Sequence, residues 1–123
     1  MDSGRPLYEV KAELFKGVGH PLRIRVLELL SEAPERTVTQ LLEHLDVEPS
    51  LLSQHLAVLR RAGLVSSQRR GSLVYYALAY PSVAQLLHAA RTLLTDVVEG
   101  RRAQADGLAS AHQSLAPLPS PRA

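Results

Sequence analysis

The chain has 123 residues, of which 46% are hydrophobic and 21% charged, and a formal net charge of +2, which suits one domain with a single small core. It contains no cysteine, and this excludes disulfides, thiolate metal sites, cysteine nucleophiles and thiol redox switching. No apolar run approaches the ~18 residues of a membrane span and the N-terminus lacks the apolar stretch of a signal peptide, so a cytoplasmic protein is expected.

With 23 leucines and only 5 aromatic residues, the core should be aliphatic and mostly helical. Pro6 suits a first helical turn, and Leu7, Val10, Leu14, Phe15 and Val18 form an apolar stripe that predicts a helix over residues 6–17. Pro21 opens a second helix in which Leu22, Val26, Leu29 and Leu30 share a face that Ile24 and Leu27 widen; it stops before Pro34. Thr37 followed by Gln40 is a capping-box pattern for a short third helix running to about Leu45. After a turn at Asp46–Pro49, Ser50 can cap a fourth helix carrying Leu52, Leu56 and Leu59, with Gly63 just past its end. The period then changes. Residues 64–68 and 73–78 are β-prone and flank Arg69, Arg70, Gly71 and Ser72, which predicts a hairpin. Pro81 starts a last helix extending to about Gly100. Residues 105–123, rich in Ala, Ser, Gln and Pro, are expected to form a tail without fixed structure. Residues 1–104 then form the folded domain.

Charge is unevenly placed. Between Pro49 and Thr95 there is no Asp or Glu, while Arg60, Arg61, Arg69, Arg70 and Arg91 are all positive. The remaining segments carry 9 basic against 12 acidic groups. An acid-free stretch of 47 residues is what a phosphate-facing surface needs, because a carboxylate beside a phosphate repels it.

The order helix, helix, short helix, helix, hairpin, helix describes a winged helix-turn-helix, mainly α with a β-hairpin wing. A helix enters the major groove when its outer residues are small or hydrogen-bonding and its inner residues anchor it. Ser50, Ser53, Gln54 and Ala57 fit the outer set, and Leu52, Leu56 and Leu59 the inner one. Arg69 and Arg70 at the hairpin tip can reach phosphates or the minor groove. Thr37, Thr39, His55, Arg60, Arg61 and Gln68 complete the candidate DNA contacts.

The stretches "ELFKGVGHPLRIRVLELL", "PSLLSQHLAVLRRAGLV" and "RRGSLVYYAL" resemble the ArsR/SmtB family of bacterial winged-helix repressors, over residues 7–98. The resemblance implies a homodimer held mainly by the first and last helices and a palindromic double-stranded DNA operator. The expected dimer interface comprises Leu7, Val10, Leu14, Val83, Leu86, Leu87, Ala90, Leu93, Leu94 and Val97. In many members, metal binding weakens the DNA complex. Where thiophilic sensors carry two cysteines near the third helix, however, this chain has Thr37 and Thr39. Where zinc sensors place an Asp and three His on the last helix, it has Tyr80, Ser82, Leu93 and Asp96, and one acidic group cannot hold a divalent ion in tetrahedral geometry. No metal or other cofactor is therefore expected, and the effector stays open.

His20, between Gly19 and Pro21, suits a loop or capping hydrogen bond, and His55 a contact with DNA or with the supporting helix. His44 and His88, beside leucines, are expected to be partly buried and hydrogen-bonded. His112 lies in the tail. Glu9 with Glu13, and Asp96 with Glu99, read as solvated pairs. Two alternatives stand beside the leading reading: a nickel or zinc sensor built from unconventional His and carboxylate ligands, and a winged-helix module that binds a protein. An enzyme is not expected, since no nucleophile elbow, phosphate loop or paired catalytic carboxylates occur at meaningful spacing.

Overall fold

The computed structural model describes residues 4–114. Their elements are α1 (Leu7–Val18), α2 (Pro21–Ser31), β1 (Arg36–Thr37), α3 (Val38–Leu42), α4 (Pro49–Arg61), β2 (Val65–Arg70), β3 (Leu73–Leu78) and α5 (Pro81–Ser114). This is a winged helix-turn-helix, with the short strand β1 added to the expected order. β1 pairs with β3 through Arg36 and Thr37, opposite Tyr76 and Tyr75, and gives an antiparallel sheet of order β1-β3-β2.

The chain divides into two units, one extending to Leu87 and the other beginning at His88. In the first, the core joins Val26, Leu27, Leu29 and Leu30 of α2, Leu41 of α3, and Leu52, Leu56 and Leu59 of α4. Leu64, Val65 and Val83 close it. Burying each such side chain is worth about 1.5–3 kcal/mol, so these positions fix how α2, α3 and α4 pack. Ile24, expected on the buried face, is 37% exposed. It falls outside the i, i+3, i+4, i+7 set of Arg23, Val26, Leu27 and Leu30 that turns inward. In the second unit, α5 residues from His88 to Ser110 are exposed.

Local chemistry sets the boundaries. The Thr37 Oγ1 accepts the Gln40 N–H (3.2 Å) and the Thr37 N–H donates to Gln40 Oε1 (2.8 Å), completing the expected capping box. α3 ends at Leu42 and not Leu45, because the His44 and Leu45 N–H groups turn back to Leu41 and Leu42, one residue tighter than an α-helix. α4 is capped by Glu48, whose carbonyl accepts from Leu51 and Leu52. Ser50, expected at the cap, lies inside the first turn because Pro49 takes the first helical position, where its fixed φ fits and its missing N–H costs nothing.

β2 continues through both arginines, leaving a two-residue turn at Gly71 and Ser72, with Gly71 at φ +62°. That left-handed value is what a tight hairpin turn demands and what glycine adopts without strain. α5 runs to Ser114, past the expected end near Gly100 and through the first part of the segment expected to lack structure. A glycine inside a helix costs only about 1 kcal/mol, and Gly100 and Gly107 are embedded among Ala, Arg and Gln, all strong helix formers. Residues 115–123, the rest of that segment, lie outside the described residues, as do residues 1–3.

Candidate nucleic-acid interface

α4 carries its leucines on one side and its polar groups on the other. Leu52, Leu56 and Leu59 are at most 1% exposed. Ser50, Gln54 and Arg61 are exposed and lie with half-buried Ala57 at spacings of 4, 7 and 11 residues, one stripe opposite the leucines. Ser53 and Arg60 flank that stripe and are also exposed. The stripe combines a small residue, an amide and a guanidinium, the groups that hydrogen-bond base edges and phosphates.

His55 is half-buried on the flank of α4. Its Nδ1 lies 3.1 Å from Nη1 of Arg23, and its ring stacks at 4.3 Å and 38° on His20. Burial, and then the neighbouring His20 and Arg23, push the His55 imidazole below the usual histidine range, which keeps it neutral. Arg23 also donates from Nε to the Gly17 carbonyl (2.7 Å) and from Nη2 to the Lys16 carbonyl (3.2 Å), satisfying the C-terminal end of α1. His20 accepts the Leu22 N–H on Nδ1 at 3.0 Å and caps α2, as its place before Pro21 suggested. One cluster thus joins α1, α2 and α4. Arg23 was not among the sequence candidates. Its signal was there, since a cation at i with Val26, Leu27 and Leu30 at i+3, i+4 and i+7 must find acceptors within the fold.

On the wing, Arg60 donates to Ser67 Oγ at 3.4 Å. The Arg69 side chain is exposed and, among the described residues, makes no hydrogen bond or ion pair. Arg70 is held instead by Glu35, with its guanidinium 3.9 Å over the Tyr75 ring. Gln68 is exposed on β2.

Two other groups of candidates are placed differently from expectation. Thr37 is 8% exposed and spends its hydroxyl on the α3 cap, so it is withdrawn from the DNA-facing set, whereas Thr39 is exposed. Among the apolar positions expected at a dimer interface, Val83 is buried in the core and Leu87 packs against it. Each serves the chain's own fold. Val10 and Leu86 are half-buried and Ala90 is exposed. Leu7 (67%), Leu93 (64%) and Leu94 (63%) are largely exposed, as are Leu14 and Val97 to a smaller degree. Tyr8, Phe15, Val98 and Leu108 join them as exposed large apolar side chains.

His44 and His88 are exposed and not partly buried. Glu9 and Glu13 both pair with Arg5, at 3.7 and 2.8 Å. Among the described residues, no group of three or more His, Asp or Glu side chains is gathered so as to hold a metal ion. No described helix is long and apolar enough to cross a membrane.

A buried-backed helix with a polar outer stripe, set beside a two-stranded basic wing, defines the winged helix-turn-helix class. Residues 20–67 match the profile of the bacterial regulatory proteins of the arsR family. Over 104 residues the chain is 48% identical to the uncharacterized HTH-type transcriptional regulator Rv0081 of Mycobacterium tuberculosis (strain ATCC 25618 / H37Rv), spanning 84% of this chain and 90% of the relative. The crystal structure of M. tuberculosis Rv0081 matches with a TM-score of 0.73, covering 80% of this chain and 98% of that one. A solution NMR structure of the homodimeric winged helix-turn-helix DNA-binding domain of Mb0332 from Mycobacterium bovis matches with a TM-score of 0.69 at 25% identity, over 80% and 94% of the two chains. The chain belongs to the ArsR family and is a helix-turn-helix transcriptional regulator of the ArsR/SmtB type.

Proposed function

We propose that the protein is a homodimeric repressor acting in the cytoplasm, which binds a palindromic DNA operator by laying α4 in the major groove with the β2–β3 wing beside it. The stripe of Ser50, Gln54, Ala57 and Arg61 on the outer side of α4 carries this reading. Its leucine-backed opposite side leaves those groups nowhere to point but outward. In this reading Ser53 and Gln54 read base edges, and Arg60, Arg61 and the wing contact phosphates. The exposed apolar side chains Leu7 and Leu14 on α1, and separately Leu93, Leu94 and Val97 on α5, are the proposed dimer contacts. With no cysteine and with Tyr80, Ser82, Leu93 and Asp96 at the last-helix positions, the chain lacks the family's usual metal ligands.

The test is recovery of bound genomic fragments by the purified protein, followed by affinity measurements across salt concentration, with and without divalent metals. A recurrent palindromic sequence whose affinity falls steeply with salt supports the reading. Salt-independent binding to a protein partner, with no enriched DNA, refutes it.

A further inference from the structure

Arg69 and Arg70 are neighbours in sequence, yet the pleat of β2 sends them to opposite sides of the sheet. Val65, Ser67 and Arg69 share one side. It is the side of α4, because Val65 is buried in the core and Ser67 accepts from Arg60 of α4. Ser66, Gln68 and Arg70 share the other.

There, Gln68 stands opposite Tyr75 and Arg70 opposite Leu73, so Tyr75 is the diagonal cross-strand neighbour of Arg70 and its ring lies under the guanidinium at 3.9 Å. Glu35, immediately before β1, supplies a carboxylate to the same guanidinium. Its backbone neighbour Arg36 is already fixed to the sheet by pairing with Tyr76. Arg70 therefore has a stacked face and a paired edge, and Arg69 has neither. A DNA phosphate approaching Arg70 must displace a carboxylate of the same charge, whereas one approaching Arg69 displaces only water.

We propose that Arg70 is held off the DNA by Glu35 and Tyr75, and that Arg69 on the α4 side supplies the wing's phosphate contact. Glu35 thereby limits the number of cations the wing offers to duplex DNA. The proposal rests on the DNA-binding reading above and assigns the two arginines different roles within it.

Binding of the full chain to a random-sequence duplex, measured by fluorescence anisotropy between about 50 and about 200 mM salt, tests it. Arg69→Ala should flatten the log-affinity versus log-salt slope by about 1, which is on the order of a threefold smaller loss across that range. Arg70→Ala should leave the slope unchanged, and Glu35→Gln, which frees Arg70, should steepen it by about 1. The double variant Glu35→Gln/Arg70→Ala should return to the wild-type slope, because the added contact comes from Arg70 and not from the lost carboxylate. Arg70→Gln gives the same reading if the alanine variant is unstable.

Flattening by Arg70→Ala, or a double variant as steep as Glu35→Gln alone, overturns the proposal while leaving DNA binding intact. A wild-type chain whose binding ignores salt, or that does not bind duplex at all, overturns the DNA-binding reading and this assignment with it.

Discussion

His55 Nδ1 lies 3.1 Å from Nη1 of Arg23, so α4 is tied to α2 by a bond that exists only while that imidazole nitrogen carries no proton. Arginine has no acceptor, and the histidine must therefore supply one. Because the same guanidinium holds the Lys16 and Gly17 carbonyls, a single side chain links three helices that the apolar core has already brought together.

Replacing Arg23 should therefore cost more than a surface substitution. Arg23→Ala leaves two helix-end carbonyls and one imidazole nitrogen without their donor, and the loss is expected to be about 1–3 kcal/mol. Urea denaturation measures it. A change below about 0.5 kcal/mol, the range of ordinary surface substitutions, would show that water replaces the guanidinium without penalty.

The lowered His55 pKa makes stability depend on pH with a definite sign. The folded state favours neutral His55, so as the pH falls below the ordinary histidine value of 6.5 the unfolded chain takes up the proton first, and stability drops until the folded pKa is passed. Above 6.5 this contribution is fully present. Thermal melts from pH 7.5 to pH 5 should show a decline that His55→Gln reduces, since an amide oxygen accepts from Arg23 at every pH. An equal decline in wild type and variant would assign the acid sensitivity to other groups.

Gln54 and Arg61 sit on one stripe of α4 yet should fail differently. Gln54→Ala is expected to cost about 1–3 kcal/mol on the recovered operator and little on random duplex, because an amide reading a base edge contributes only where that base is present. Arg61→Ala should weaken both alike and flatten the salt slope by about 1. If Gln54→Ala left the ratio of operator to random affinity intact, α4 would not be the reading helix.

The exposed leucines of α5 bear on assembly. Leu93→Glu and Leu94→Glu should each shift the protein towards monomer in sedimentation velocity, because each puts a charge where an apolar contact is proposed, while the melting of the unit ending at Leu87 stays near wild type. Wild-type protein that sediments as a monomer at micromolar concentration would remove the basis for the dimer.

How far the sequence could be read depended on whether the deciding interaction was local. The leucines of α4 repeat at helical spacing and the capping box of Thr37 and Gln40 spans three residues, so both were legible in the chain. The start of α4 was misplaced by two residues because Ser50 and Pro49 both carry helix-start signals, and the proline prevailed. β1 was invisible: two residues have no period, and they become a strand only because Tyr75 and Tyr76 offer a free edge. The candidate site follows the same rule. The outward stripe of α4 could be read from spacing, but the capture of Arg70 by Glu35 joins positions 35 residues apart, and no local pattern announces such a pair.

The two-residue turn at Gly71 and Ser72 makes the wing's length a discrete variable. Adding one residue to each strand keeps every rung between β2 and β3 paired, yet rotates the tip by half a pleat, so the arginines exchange sides and the wrong one meets Glu35. Adding two to each strand restores the sides and carries the tip outward by about 7 Å. A residue added to one strand alone must be absorbed as a bulge, which bends that strand, or else disturbs the turn or the burial of Val65 at the hairpin's base. A wing of this design thus lengthens without a bulge only in matched pairs of residues, and its reach comes in steps.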